Sequence, residues 1–347
     1  MSRSATGRVL IGLEGTQISA AEEKLLQHPA TGGVVLFTRN YDNREQLIAL
    51  TSAIREVAEK PLLITVDHEG GRVQRFHEGF TRLPALAVLG RMFTEYPEQA
   101  RDMAYRHGRV MATELLLCGV DMSFAPVLDL DGESCVIGSR AFSADPEAII
   151  QLGGHYLAGM HDAGMKTCGK HFPGHGSVEA DSHVDDVCDP RPLSDIEQLD
   201  ILPFQSLLNG LDSMMMAHVV YRLADASPAG YSYFWIKEYL RKKLGYTGVI
   251  FSDDLGMHAA GFAGALIKRM RLSFEGGCNA VLVCQPEDVG ELYAGLEDLS
   301  LDKGEILSNL FGNSMHTDQE LATVGEWRHW QKSLELLEKS QWAQSSA

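Results

Sequence analysis

Eight short apolar runs, set apart by longer stretches of helical periodicity, constrain the fold of this 347-residue chain more than any other feature. They are "RVLIGLE" (8–14), "GGVVLF" (32–37), "PLLITVD" (61–67), "GVDMSFAP" (119–126), "MKTCGKHF" (165–172), "DSMMMAHVV" (212–220), "TGVIFSDD" (247–254) and "CNAVLVC" (278–284). Short runs rich in Val, Ile and Leu, bounded by Gly or charge, read as strands buried on both faces. Helical patterns lie between them, as in "NREQLIALTSAIREVAE" (43–59), "EQARDMAYRHGRVMATELLLCG" (98–119), "PEAIIQLGGHYLAGMHDAG" (146–164) and "SDIEQLDILPFQSLLNG" (194–210). Ser194 followed by Glu197 is expected to open the last of these with a capping box. Strand–helix alternation repeated eight times predicts an α/β fold, a single-domain (β/α)8 TIM-type barrel. An open doubly wound sheet also holds eight strands, but "LEGTQIS" after the first run lacks its phosphate-binding glycine spacing. The barrel is expected over residues 1–300. The tail, 301–347, carries Trp327, Trp330 and Trp342 and reads as closing helices packed on the barrel, not as a separate domain.

Composition narrows the partners. Thirty Lys and Arg against 47 Asp and Glu give a formal charge of −17. With no basic stripe, nucleic acid and anionic membrane surfaces are not expected as partners. No stretch approaches a membrane span, and the N-terminal apolar run is broken by Gly12, Glu14 and Gly15, unlike a signal peptide. The six cysteines are scattered without CxxC pairing, and a reduced, cytoplasmic protein is expected.

In a barrel of this kind the active site forms at the C-terminal ends of the strands. The third run ends in "VDHEGGRVQRF", with Asp67, His68, Glu69, Arg72 and Arg75. The fourth ends near Asp129, and its loop carries Arg140. The fifth ends in Lys170 and His171, the sixth in His218, and the seventh in Asp253 and Asp254. Polar groups recur at five strand ends, as a catalytic face requires.

The segment "GKHFPGHGSVEADSH" (169–183) follows the fifth run. His171 and His175 have the spacing of a zinc-binding helix, but Pro173 and Gly174 between them forbid that helix. A metal-dependent barrel hydrolase using the His cluster is the rival reading; no metal or cofactor is expected. Asp181 and His183, two residues apart, are expected to face the same side of an extended loop, and a carboxylate beside an imidazole makes a proton-transfer pair. Gly174 and Gly176 are expected to make the segment pliable enough to bring His183 to its substrate. Asp253 and Asp254 end a buried strand where a nucleophile belongs, and alternation alone does not choose between them.

Taken together, "KHFPGHGSVEADSH", "GVIFSDDLGM", "VDHEGGRVQRF", "GGVVLFTRN" and "MMAHVVY" resemble the bacterial β-N-acetylglucosaminidases of glycoside hydrolase family 3, across roughly residues 8–285. The resemblance implies a retaining exo-glycosidase of peptidoglycan recycling. Its substrates would be N-acetylglucosaminyl-1,6-anhydro-N-acetylmuramic acid and the corresponding muropeptides. It implies Asp253 as nucleophile and His183, paired with Asp181, as acid/base. Asp67, Arg75, Arg140, Lys170 and His171 are implied to hold sugar hydroxyls. A small carbohydrate is thus the expected partner of a monomer or weak homo-oligomer. After "SDDL" the run Gly256, Met257, His258 departs from the family's usual small, Met, acidic pattern. A catalytically silent sugar-binding barrel would keep the binding residues but has no need of a carboxylate at 253.

Overall fold

The computed structural model describes residues 7–178, 187–296, 305–323, 325–340 and 342–343. Each apolar run yields one barrel strand: β1 (Val9–Gly12), β2 (Thr31–Leu36), β3 (Leu63–Val66), β4 (Met122–Ser123), β5 (Cys168–Phe172), β6 (Ser213–Met216), β7 (Val249–Asp254) and β8 (Ala280–Val283). All neighbours pair in parallel, in the order β4-β3-β2-β1-β8-β7-β6-β5. The ring closes beyond β4, where Val127 bridges Lys170 and the Cys168 N–H donates to the Ala125 carbonyl at 2.8 Å. β4 is short because Pro126 follows it without an N–H for the ladder. This is the expected (β/α)8 barrel.

Alternation along the strands sorts the apolar residues into two cores. Leu10, Val35, Leu63, Phe124, Cys168, Phe251 and Leu282 point inward and fill the barrel, with the Phe124 and Phe251 rings edge to face at 5.5 Å. Val9, Ile11, Val34, Ile64, Met214 and Ile250 point outward against the helices. The tail closes the lower end of the barrel: Leu307 and Leu310, from the turn Glu305–Leu310, are buried in the interior cluster. Helix Gly325–Glu338 buries Trp327, Leu334 and Leu337, and Gln331 donates to Glu114 of helix Pro97–Leu117 at 2.8 Å.

One local expectation is wrong. Ser194 does not cap its helix; it lies inside Leu193–Gln198, which follows Pro192. Its hydroxyl donates to Asp195, and Glu197 turns away to accept from the Tyr239 hydroxyl at 2.8 Å. The helix also breaks, restarting at Ile201–Leu207. Pro203 explains the break, since a residue without N–H is tolerated in a first turn but not mid-helix. The capping box forms instead at Ser19, where Oγ accepts from the Glu22 N–H and the Glu22 carboxylate accepts from the Ser19 N–H.

Candidate active site

The inward file of side chains changes character at the upper strand ends. Asp67 continues the parity of Leu63 and Thr65, Lys170 that of Cys168, and Asp253 that of Val249 and Phe251. The choice between the two aspartates of β7 is therefore made by the barrel. Asp253 faces the interior. Asp254 follows a register shift and serves the backbone, its Oδ1 accepting from the Gly256 and Cys284 N–H groups at 3.0 Å each.

Around these ends runs an ordered charge network. Lys170 Nζ lies 2.6 Å from both Asp67 Oδ1 and Glu69 Oε1. Arg140 grips Glu69 with two parallel bonds, Nε to Oε2 at 2.8 Å and Nη2 to Oε1 at 2.7 Å. Arg75 stands 3.9 Å from Asp67. Burial alone would push the Glu69 carboxyl up, but Arg140 and Lys170 hold it far below the usual carboxylate range. Burial likewise opposes the charge on Lys170, and the two carboxylates more than restore it. The ammonium has three donors, so one remains for a ligand.

His171 is oriented from behind. Its Nδ1 pairs with Asp129 Oδ2 at 2.7 Å, which leaves Nε2 aimed at Asp253 Oδ2, 4.0 Å away. Asp129 is buried and also accepts from the backbone N–H groups of His171 and His175. Although burial disfavours its charge, His171 and these bonds keep its carboxyl low. The Asp253 carboxyl is likewise held below its ordinary range: burial raises it, but His171, the buried His218, the Asp254 N–H and Lys170 outweigh that. It is an anion at neutral pH. The Asp254 carboxyl is instead pushed up to about 6, chiefly by burial and also by the Asp253 charge.

Asp67, Arg75, Met215, Asp253 and Met257 are shared by two lobes of an open cleft, each of about 370 Å³. One lobe adds Arg72, Val136, Arg140, Lys170, His171 and His175; the other adds Phe37, Asp254, His258, Leu282 and Gln285. Asp67, Arg75, Arg140, Lys170, His171 and Asp253 are thus brought together. Asp181 and His183 lie outside the described residues. Among the described residues, no three His, Cys, Asp or Glu side chains converge as a metal-ligand set.

Glu69 and Asp129 stand at strand ends with no task evident from the sequence. Both prove to be the buried partners that hold Arg140, Lys170 and His171 in place. Parity was available as a signal for Asp67 and Lys170, but nothing local announces a pairing across 71 residues, as between Glu69 and Arg140. His175 carries its weight through its N–H on Asp129. Gly174 and Gly176, expected to lend pliability, sit in close packing. A Cβ at Gly176 would lie 1.7 Å from the Leu130 carbonyl oxygen, and Gly174 has φ +137° with Asp200 packed against it. Both are glycine because neighbours approach too closely for a side chain.

A site of this kind, with a carboxylate anion in a cleft walled by paired charges, fits carbohydrate chemistry. Residues 7–317 match the sequence model of the glycosyl hydrolase family 3 N-terminal domain. The chain belongs to glycoside hydrolase family 3. A β-hexosaminidase of Alkalilimnicola ehrlichii is 54% identical over 295 residues, covering 84% of this chain and 85% of that one. One from Tolumonas auensis is 44% identical over 333 residues, covering 95% and 98%. The native structure of NagZ from Neisseria gonorrhoeae superposes with a TM-score of 0.88 at 42% identity, covering 97% of this chain and 99% of that one. As a family 3 member the chain is a glycoside hydrolase.

Proposed function

We propose that this family 3 enzyme is a retaining exo-β-N-acetylglucosaminidase that removes terminal β-linked N-acetylglucosamine from N-acetylglucosaminyl-1,6-anhydro-N-acetylmuramic acid and its muropeptides, in cytoplasmic peptidoglycan recycling. The observation that carries the reading is Asp253: an inward-facing carboxylate, kept anionic, at the meeting point of both cleft lobes. The names of the relatives, β-hexosaminidase and NagZ, support the sugar.

Asp253 attacks the anomeric carbon and forms a covalent glycosyl-enzyme. His183, as imidazolium paired with Asp181, protonates the departing oxygen, then acts as base on the water that releases the sugar. Lys170 uses its free donor on a sugar hydroxyl, with Asp67 as the adjoining acceptor. Arg140 and Arg75 line the same wall, and His171 meets the sugar through Nε2, its other nitrogen being committed to Asp129. Retaining glycosidases usually place two carboxyl groups about 5–5.5 Å apart; here an imidazole replaces the second, with Asp181 behind it.

Incubation with synthetic muropeptide tests the reading directly. Release of N-acetylglucosamine whose first-formed anomer is β supports it. Release of the α anomer defeats retention, and no release defeats the substrate. Sensitivity of the purified enzyme to chelators would favour the metal-dependent rival.

A further inference from the structure

Arg75 and Arg140 stand on the same wall of the cleft but are held in different ways. Arg140 is fixed through its own guanidinium, by the two bonds to Glu69. Arg75 has no such tether. Its Nε is buried without a hydrogen-bond partner among the described residues, and Asp67 stands 3.9 Å away. The Phe37 ring, 5.5 Å from the guanidinium, gives contact without a directed bond. Where Arg75 sits is therefore set by the backbone that carries it.

That backbone is the end of a hairpin, in which His68–Gly70 pairs antiparallel with Val73–Gln74. Gln74 and Arg75 point to opposite faces, Arg75 to the cleft and Gln74 into the body of the protein. The buried Gln74 amide is used three times. Its Nε2 donates to the Phe76 and Thr81 carbonyls, and its Oε1 accepts from the Leu83 N–H, each at 3.0 Å. These bonds clasp the turn 76–83 onto the hairpin. The turn is anchored in its own right by Glu114, buried on helix Pro97–Leu117. Thr81 donates its N–H to Glu114 Oε2 at 2.9 Å and its hydroxyl to Oε1 at 2.6 Å. Gln331, from the tail helix Gly325–Glu338, is a third donor on Glu114.

A chain of bonds thus runs from the tail helix through Glu114, Thr81 and Gln74 to the residue before Arg75. A buried polar network satisfied in this way specifies one arrangement of the backbone around it. Removing one partner leaves the others buried and unpaired, and the arrangement loosens.

We propose that Glu114 is a positioning residue: it joins the tail helix to the turn 76–83 and, through Thr81 and Gln74, sets where Arg75 meets the sugar. This rests on the sugar-binding role proposed for Arg75. Glu114 lines neither lobe of the cleft and acts only through Arg75. A misplacement of about 1 Å at a site costs on the order of 100-fold, so a smaller shift of the hairpin is already measurable.

The test is a double-mutant cycle, read as kcat/KM per folded enzyme. The substrate is an aryl N-acetyl-β-glucosaminide whose good leaving group needs no proton, so acid catalysis does not enter the reading. Glu114→Gln leaves one acceptor oxygen where two are used. It should lower kcat/KM about 3- to 30-fold in the parent and less than about twofold in the Arg75→Ala background. Equal loss in both backgrounds is what a merely structural role gives, and it overturns the proposal, as does no loss in the parent. Should Glu114→Gln fail to fold, Thr81→Val removes one hydroxyl only. It should give a smaller loss with the same dependence on Arg75, and a loss independent of Arg75 again overturns the idea. Gln331→Met cuts the tail from Glu114 and should behave likewise; an unchanged kcat/KM overturns the tail's part. Arg75→Ala by itself separates the two readings. If it leaves kcat/KM within about twofold of the parent, the binding role falls and takes this proposal with it. If it lowers kcat/KM and the Glu114→Gln loss is undiminished beside it, the positioning role alone is wrong.

Discussion

The lower and upper halves of the barrel interior share one backbone geometry and have opposite chemistry. In the lower half the inward positions are Leu10, Val35, Leu63, Cys168 and Phe251, closed from below by Leu307 and Leu310. A few residues further along the same strands, the inward positions are Asp67, Lys170 and Asp253. Apolar burial in the lower half stabilises the fold at little risk. The upper half spends part of that stability to hold charges out of water, where Lys170 and Asp67 pair at 2.6 Å and Asp253 lies 4.0 Å from His171. The contrast shows a division of labour along each strand: its first residues make the barrel, and its last ones use it.

The sharpest way to separate the halves is Asp253→Ala. Removing the proposed nucleophile should lower kcat by about 10⁴-fold or more while the near-ultraviolet circular dichroism of the fold persists. Residual turnover within about tenfold of the parent would remove Asp253 from that role. Phe251→Ala, two residues away on the same inward file, should do the reverse. A cavity at that packed ring costs about 3–5 kcal/mol, readable as a shift in urea midpoint, with kcat nearly unchanged below the transition.

Asp129→Asn tests whether the upper half depends on hidden partners. The amide cannot hold the His171 ring as the carboxylate does, so kcat/KM should fall about 10- to 100-fold. An unchanged kcat/KM would mean that His171 orients itself. Asp254→Asn should give the smallest effect. The Asp254 carboxyl is raised from its ordinary 3.8 to about 6, so the folded state favours its neutral form. That contribution is complete below about pH 4 and lost as pH rises through about 6. Asparagine keeps an acceptor for the Gly256 and Cys284 N–H groups. The variant should therefore be equal to the parent in acid and about 1–2 kcal/mol more stable near pH 8. A parent whose stability is flat between pH 4 and 7, once other carboxyls are allowed for by the variant, would contradict the raised carboxyl.

Much of the architecture was legible in the chain. All eight apolar runs became barrel strands, because a strand covered on both faces needs a continuous apolar run, which is a local property. Asp67, Lys170 and Asp253 were legible as strand-end groups for the same reason. The capping signal at Ser194 misled because it weighs four residues, while Pro203, further on, decided where the helix runs. The crowding at Gly174 and Gly176 was not legible, because a glycine's freedom and a glycine's lack of bulk look identical in a sequence.

Periodic and local properties thus follow from the chain alone: the number of strands, the alternation that fills the barrel, and the placing of charged residues where strands end. Tertiary structure decided which of two adjacent aspartates continues the inward file and which serves the backbone after the register shift against β8. It also decided that Glu69 pairs with Arg140 and Lys170, that Asp129 pairs with His171, and that Asp200 gathers Ser177 and Arg191. Those are meetings between side chains far apart along the chain, and only closure of the barrel brings them within reach of one another.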